Sequence, residues 1–343
     1  MEKVRELVGD EVGKTLLLAD TTSSHDTATQ AKLWLDRIIE AAQKEMHFLQ
    51  VVEEFDLPEG HKDLLVPTGS WISSWSSSAS EGAAVNYTTM DTISGVTFTP
   101  ADANYGIAIS NRALRVNRIN LINEARKQLT YRYRDVIDQA IKTAIEGATA
   151  ADADTAGMQV LYGGDASDAV DVAAGDILTP ELIKKAKRLL MSTACWYWNS
   201  GTFTKSSATK NPWRPTNDEP FVLFISPENW ESLANDTQFT NAAEFGNNDP
   251  VLNGKIAKYV GVNIVVTDNL TAKSSSDTGW STDGHVCYMV KAKKCAGLAW
   301  GQRPRIQVVD FPSELEKRII LEMAYQAKVL YDDAIVQINV ADE

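Results

Sequence analysis

The sequence predicts an α+β fold of several parts, and three observations carry that prediction. Residues 64–100 read as extended chain with Glu81 and Asp91 as their only charges. Residues 121–147 hold an unbroken helical period. Short apolar runs such as residues 221–225 mark buried strands between further helices.

The N-terminal 25 residues lack a sustained period and read as an arm. Thr27-Ala28-Thr29-Gln30 fits a capping box, and Leu35, Ile38, Ile39, Ala42, Met46 and Leu49 recur at helical spacing. That pattern predicts a helix stopped by Asp56-Leu57-Pro58-Glu59-Gly60, with Glu53 and Glu54 on the solvated side of its end. Residues 64–100 are rich in Thr, Val, Trp and Tyr, which favour extended backbone. They predict a β-hairpin with its tip near residues 76–84 and legs of about 16 residues, each about 50 Å long. A lone two-stranded ribbon is marginal in water, so something else must cover it.

Asn120 caps the strongest helix, in which Ile122, Ala125, Leu129, Tyr133, Val136, Ala140 and Ala144 step by three and four. Gly147 ends it. Residues 148–178, rich in Ala, Asp and Gly, read as a loop. Thr179-Pro180-Glu181 opens another helix with apolar positions Ile183, Ala186, Leu189 and Leu190. Residues 193–220 form an insertion containing Trp196, Tyr197, Trp198 and Trp213. Residues 221–225 are a buried strand, and Ser226-Pro227-Glu228 caps the next helix. Strands follow at 262–267, 286–290 and 306–311, and alternation at 319–340 closes the chain. No repeat of 20–50 residues is present, which disfavours solenoids and propellers.

The chemistry expected of an enzyme is missing. Val8-Gly9-Asp10-Glu11-Val12-Gly13-Lys14-Thr15 imitates a phosphate-binding loop, but Val8 stands where the first glycine must turn the backbone. Asp152-Ala153-Asp154-Thr155-Ala156-Gly157 imitates a calcium loop, but Ala156 and Gly163 occupy ligand positions. A cation held there with Asp165 or Asp168 is the sharper reading; a solvated acidic loop is the better one. His25, His47, His61 and His285 are scattered, and Cys195, Cys287 and Cys295 suit neither a zinc finger nor a disulfide framework. Cys287 reads as a small buried side chain. No hydrolase elbow occurs. We therefore expect no catalytic residue, no cofactor and no metal.

With 33 Lys and Arg against 46 Asp and Glu, the chain carries a net charge of −13. Such a surface repels phosphate backbones and disfavours sequence-reading nucleic-acid binding. No apolar run approaches the ~18 residues that span a bilayer, and residues 1–5 lack a signal peptide's apolar block.

The order of parts resembles the major capsid proteins of tailed viruses, with the Hong Kong 97-type fold. Leu64-Leu65-Val66-Pro67-Thr68-Gly69 resembles the strand entering that family's extended E-loop. Phe98-Thr99-Pro100 and Tyr105-Gly106-Ile107-Ala108-Ile109-Ser110-Asn111-Arg112-Ala113-Leu114 resemble the segment returning to its spine helix, and residues 121–147 match the helix itself. Phe224-Ile225-Ser226-Pro227-Glu228-Asn229-Trp230 resembles its strand-to-helix corner. Gly254-Lys255-Ile256 and Gly261-Val262-Asn263-Ile264-Val265-Val266-Thr267 resemble the stretch before its next buried strand.

The resemblance implies an N-terminal arm and helix (1–63), an E-loop hairpin (64–104) and a peripheral domain with the spine helix (105–150). An axial α/β domain (151–300) and returning peripheral strands (301–343) follow. It implies a virion shell of hexamers and pentamers enclosing double-stranded DNA, made in the host cytoplasm, with no membrane. Separate scaffolding, portal and decoration proteins are the implied partners, and the short arm before Thr27 implies no removed scaffolding segment. The family's founding member cross-links through an E-loop lysine. Residues 64–100 contain none and Lys62 lies only at the base, so assembly is expected to be noncovalent. The expected contact residues between subunits are Trp71, Trp75, Tyr87, Arg126 and Arg134. Local packing is the competing role for the tryptophans, and simple solvation for the arginines. Two other readings remain: an encapsulin-like compartment shell, or an α/β enzyme or ligand-binding protein with a pocket near Ser226 and the Trp cluster.

Overall fold

A computed structural model describes residues 46–69, 93–116, 120–236, 258–277 and 280–342. In chain order the elements begin with β1 (Glu53–Asp56), β2 (Leu64–Gly69), β3 (Ile93–Phe98), β4 (Ala101–Ser110), α1 (Asn111–Val116) and α2 (Leu121–Glu146). Next come β5 (Gln159–Tyr162), α3 (Pro180–Met191), β6 (Ala194–Asn199), β7 (Thr202–Thr209), β8 (Phe221–Ile225) and α4 (Pro227–Asn235). The last are β9 (Lys258–Tyr259), β10 (Val262–Val266), β11 (Ala272–Lys273), β12 (Gly284–Lys291), β13 (Ala296–Phe311), β14 (Glu316–Val329) and β15 (Ile335–Ala341).

Two sheets organise the chain. One has four strands in the order β1-β13-β14-β4. The other has seven, running β5-β15-β12-β8-β10-β9 with β11 on β12. Strand β8 lies at its centre with all five residues buried, as a continuous apolar run requires. Two separate hairpins, β2–β3 and β6–β7, stand outside the sheets.

Helix α2 joins the two sheets. The Asn120 side chain accepts from the Asn123 N–H at 3.2 Å and starts it. The Gly147 N–H ends it on the Thr143 and Ala144 carbonyls, both at 3.1 Å. Over 26 residues it is about 39 Å long. Its first half packs Ala125 and Leu129 on Ile319 and Leu321 of the four-stranded sheet. Its second half sends Ile137, Ile141 and Ile145 into the core of the seven-stranded sheet. Next to Ile137 lies Asp138, 1% exposed. One carboxylate oxygen accepts from the His47 N–H at 2.9 Å and the Phe48 N–H at 2.7 Å. The other accepts from Asn269 Nδ2 at 2.8 Å.

Several expectations need correction. The helical pattern that reaches Leu49 does not continue to residue 56. Phe48–Val51 is one 3₁₀ turn, and Glu53–Asp56 is β1, paired in parallel with Gly297–Trp300. Ladder bonding to β13 overrides local helical spacing. Glu53 and Glu54 therefore sit on a strand, where Glu54 accepts from Trp300 Nε1 at 2.9 Å. The stretch 148–178 is not all loop, because β5 pairs with β15. The insertion at 193–220 contains the β6–β7 hairpin. Residues 301–343 divide between the sheets: β14 stays with the four-stranded sheet and β15 joins the seven-stranded one. The arm, the capped start of the first helix and the phosphate-loop imitation lie outside the described residues.

Replacing Asp138 with Ala leaves the buried Phe48 N–H, the half-buried His47 N–H and the Asn269 amide without this acceptor. We expect a loss of about 2–4 kcal/mol in urea unfolding, with faster amide exchange at His47 and Phe48. An unchanged midpoint would show that this clamp is dispensable.

Candidate assembly surface

The six-residue feet of the β2–β3 hairpin pair in antiparallel register from Leu64↔Phe98 to Gly69↔Ile93. Phe98 anchors them. It is fully buried against Ala299 and Leu330, and its ring lies 5.9 Å from that of Phe55. A Cβ on Gly297 would sit 2.8 Å from the Phe55 ring and 3.0 Å from Phe98, so only glycine lets both rings approach β13 this closely. Polar ties surround the anchor. The Tyr331 hydroxyl accepts from the Gly69 N–H at 3.1 Å, Lys328 Nζ donates to the Thr97 carbonyl at 2.8 Å, and the Thr99 N–H donates to Gln326 Oε1 at 2.6 Å.

The ribbon's base is therefore covered by its own subunit, which supplies at the base the cover that a lone ribbon needs. The other side of the base stays open, with Leu65 63% exposed. Trp71, Trp75 and Tyr87 lie outside the described residues. Arg126 and Arg134 are exposed on α2, away from the Ala125 and Leu129 contacts, and the structure does not bring them together with the hairpin's feet in any hydrogen bond or ion pair.

The tryptophan-rich insertion packs on its own subunit. The Trp196 and Trp198 rings lie 5.4 and 5.1 Å from Phe203, and Trp198 Nε1 donates to the Val160 carbonyl at 2.9 Å. Asp333 accepts from the Asn211 N–H at 2.9 Å and from Trp213 Nε1 at 3.2 Å. Lys210, 4% exposed, donates to the Leu190, Asn211 and Asp333 carbonyls at 3.3–3.5 Å. Burial pulls its ammonium down to about 8, against the opposing pull of the Asp333 charge. These groups bolt the insertion to the start of β15, a role that composition alone could not assign.

Among the described residues, the candidate reactive groups do not assemble a reaction centre. Ser226, expected to border a pocket, is fully buried and caps α4 by accepting from the Asn229 N–H at 3.1 Å. Burial pushes the Cys287 and Cys295 thiols up to about 12, which keeps them protonated and poor nucleophiles. In the calcium-loop imitation, Asp152 accepts from the Ala153 N–H at 2.6 Å and Asp154 from Ser207 Oγ at 2.9 Å. No cluster of three or more His, Cys, Asp or Glu side chains able to hold a metal ion occurs among the described residues. No described helix is long and apolar enough to cross a membrane.

A family model described as phage capsid protein matches residues 95–338, from the hairpin's second foot to β15. The chain belongs to the phage capsid protein family. Solved structures agree on the fold. The cyanophage Pam1 capsid asymmetric unit superposes with a TM-score of 0.70 at 17% identity, covering 95% of this chain and 100% of that one. The capsid of cyanophage P-SCSP1u gives 0.68 at 14%, with 96% and 98% covered. The capsid of Ralstonia phage GP4 gives 0.66 at 13%, with 94% and 98% covered. No curated protein matches the sequence. The fold is the Hong Kong 97 type, and this capsid protein is a structural component of a virion rather than an enzyme.

One titratable clasp closes the C-terminal strand of the capsid protein. His285 Nδ1 lies 2.7 Å from Asp342 Oδ1, and Nε2 lies 3.9 Å from Glu228 Oε2. The Asp342 hydrogen bond holds the His285 pKa above its ordinary value, although burial opposes it. A raised folded-state pKa contributes stability that is complete below the ordinary value of 6.5 and is lost as pH rises through the folded value. The unfolding free energy from urea titrations should therefore fall across that window by up to about 1 kcal/mol, and His285→Gln should flatten the fall. A wild-type curve no steeper than the variant's would remove the clasp from the account.

Proposed function

We propose that this subunit closes an icosahedral shell through noncovalent contacts, as hexamers and pentamers, around double-stranded DNA that it does not read. One observation carries the reading. The ribbon's feet are rooted in their own subunit by Phe98, while Leu65 is exposed on the outer side and the chain between the feet holds only Glu81 and Asp91 as charges. A surface so poor in charge needs cover, and another copy supplies it. Interfaces of that kind, beyond about 2,000 Å², characterise obligate assemblies.

In this reading the β2–β3 hairpin is the base of the E-loop and α2 the spine helix. The four-stranded sheet belongs to the peripheral domain and the seven-stranded sheet to the axial domain. The net charge of −13 suits a container that confines DNA without gripping it. The absence of lysine from residues 64–100 supports joints without covalent bonds through that loop. Scaffolding, portal and decoration proteins would be separate chains.

Residues four apart in an extended strand share a face, and Trp71 and Trp75 have that spacing; they are the proposed anchors on the neighbour. We expect the Trp71→Ala, Trp75→Ala double variant to keep its circular dichroism and urea midpoint but to lose closed shells in negative-stain microscopy. Buried interface tryptophans typically cost about 2 kcal/mol or more each when truncated. Shells at the wild-type yield would remove these anchors. A wild-type protein that stays a uniform small particle would remove the shell reading itself.

A further inference from the structure

The edges of the two large sheets differ in length. Strands β1 and β5 have four residues each and β9 has two. Strand β4 closes the four-stranded sheet with ten residues, Ala101–Ser110, and among the described residues no strand pairs with its outer side. Long edges are ordinarily blunted by charged side chains, above all lysine, or by proline. Strand β4 contains no lysine, arginine or proline, and Asp102 is its only charge.

The ladder fixes which backbone groups are free. Strand β4 runs antiparallel to β14 without a register shift, from Ala101↔Tyr325 to Ser110↔Glu316. One residue further on, the Asn111 N–H donates to the Leu315 carbonyl at 2.8 Å, so the odd-numbered residues bond inwards to β14. Asp102, Asn104, Gly106, Ala108 and Ser110 therefore turn their N–H and C=O groups to the open edge. Their side chains lie on the face away from α2, because Ile107 and Ile109 pack towards it. Gly106 is the middle one of this outward set. It is exposed, its φ is not positive, and a Cβ there would come no nearer than 3.7 Å to a described neighbour. No described contact asks for glycine, although glycine weakens a strand and often marks a close approach of another backbone. Tyr105 beside it is 58% exposed.

We infer that β4 pairs antiparallel with β4 of a second copy of this chain, across a two-fold axis at Gly106. In that register the outward residues meet in hydrogen-bonded pairs: Gly106 faces the partner's Gly106, Asn104 the partner's Ala108, and Asp102 the partner's Ser110. Between these, Tyr105 lies opposite the partner's Ile107 and Ala103 opposite the partner's Ile109, which joins apolar pairs on the α2 side of the combined sheet. No like charges meet. Asp102 meets a hydroxyl, and the partner's Arg112 follows two residues beyond it. Ser110 Oγ accepts from the Ala113 N–H at 3.2 Å and keeps its own proton to donate. A second copy is favoured over an unrelated strand because one register uses the whole outward set, and glycine falls where any side chain would face itself. Such a contact is isologous and belongs on a two-fold axis, which every icosahedral shell contains. The inference rests on the shell reading and adds to it which edge meets which.

The test places side chains on the proposed axis in the full chain. Gly106→Lys sets two like charges opposite each other, and so does Gly106→Glu. Each should lower shell yield about tenfold or more in sedimentation while keeping the wild-type circular dichroism, since the subunit has room at this position. Mixing the two should restore shells, because lysine then faces glutamate; a contact between different segments gives no such rescue. Gly106→Cys is the second variant. Hydrogen-bonded partners lie about 5.5 Å apart at Cα, within disulfide reach, so mild oxidation should yield linked dimers on a non-reducing gel. The wild type, whose Cys195, Cys287 and Cys295 are buried, should yield none. Gly106→Cys shells without linked dimers, or full assembly of Gly106→Lys, would overturn the contact and leave the shell reading intact. Charge variants that fold but never rescue each other would assign the edge to a different strand and also overturn it. Linked dimers from a protein that never forms shells would keep the contact and remove the shell reading.

Discussion

One helix buries its apolar stripe against two different sheets, and this double duty constrains where the other elements can lie. Ala125 and Leu129 belong to the four-stranded sheet, and Ile137, Ile141 and Ile145 to the seven-stranded one. Neither half can shift along the axis without unpacking the other. Asp138, next to Ile137 on this helix, fixes the incoming chain at His47 and Phe48. Burial pushes its carboxyl pKa up, and its three donors pull the other way, so the group is held by hydrogen bonds at a position where an unpaired carboxyl would be costly. The Phe48 ring then reaches the centre of the larger sheet, 4.4 Å from that of Phe224.

From that frame the hairpin's placement follows. Strand β13 runs on beside β1, and Gly297 gives the two rings of Phe55 and Phe98 room against it. The ribbon is thus rooted by a few large contacts at its base, and its outward side is left for other surfaces. A subunit of this kind divides its apolar surface. The part that defines the subunit is buried at once, and the part that defines the assembly stays available until a neighbour arrives.

The elements legible in the sequence were those whose pattern agrees with their environment. Helix α2 has the period of a helix with one buried face, and β8 is apolar throughout because both of its faces are covered. The misread elements take their state from distant partners. Glu53–Asp56 continues a stretch of helical spacing yet forms a strand because β13 offers a parallel ladder. Gln159–Tyr162 has four residues within an Ala- and Asp-rich region, too short for any period to show, and exists because β15 has a free edge. The role of Asp333, which binds Asn211 and Trp213 across more than a hundred residues, has no local signal. The nearest hint was its position beside Asp332 at the start of an alternating strand. The contact residues fared differently: exposure shows Arg126 and Arg134 to be accessible, but accessibility alone names no partner.

A closed shell demands contacts that are numerous and individually weak. A contact strong enough to hold two subunits at the wrong angle would trap the error, whereas a weak one releases it before the shell closes. Exposed ion pairs, worth about 0–1 kcal/mol each, suit that requirement. The ring of Phe98 is fully buried and that of Phe55 partly buried beside it, and the fold keeps both inside one subunit. The same division explains how so little sequence identity, 17% and 14% against the two cyanophage capsids, accompanies one architecture. The core asks only for apolar side chains at the right period, which many sequences satisfy. The surfaces between subunits need to complement only copies of themselves, so each lineage is free to choose its own pairs.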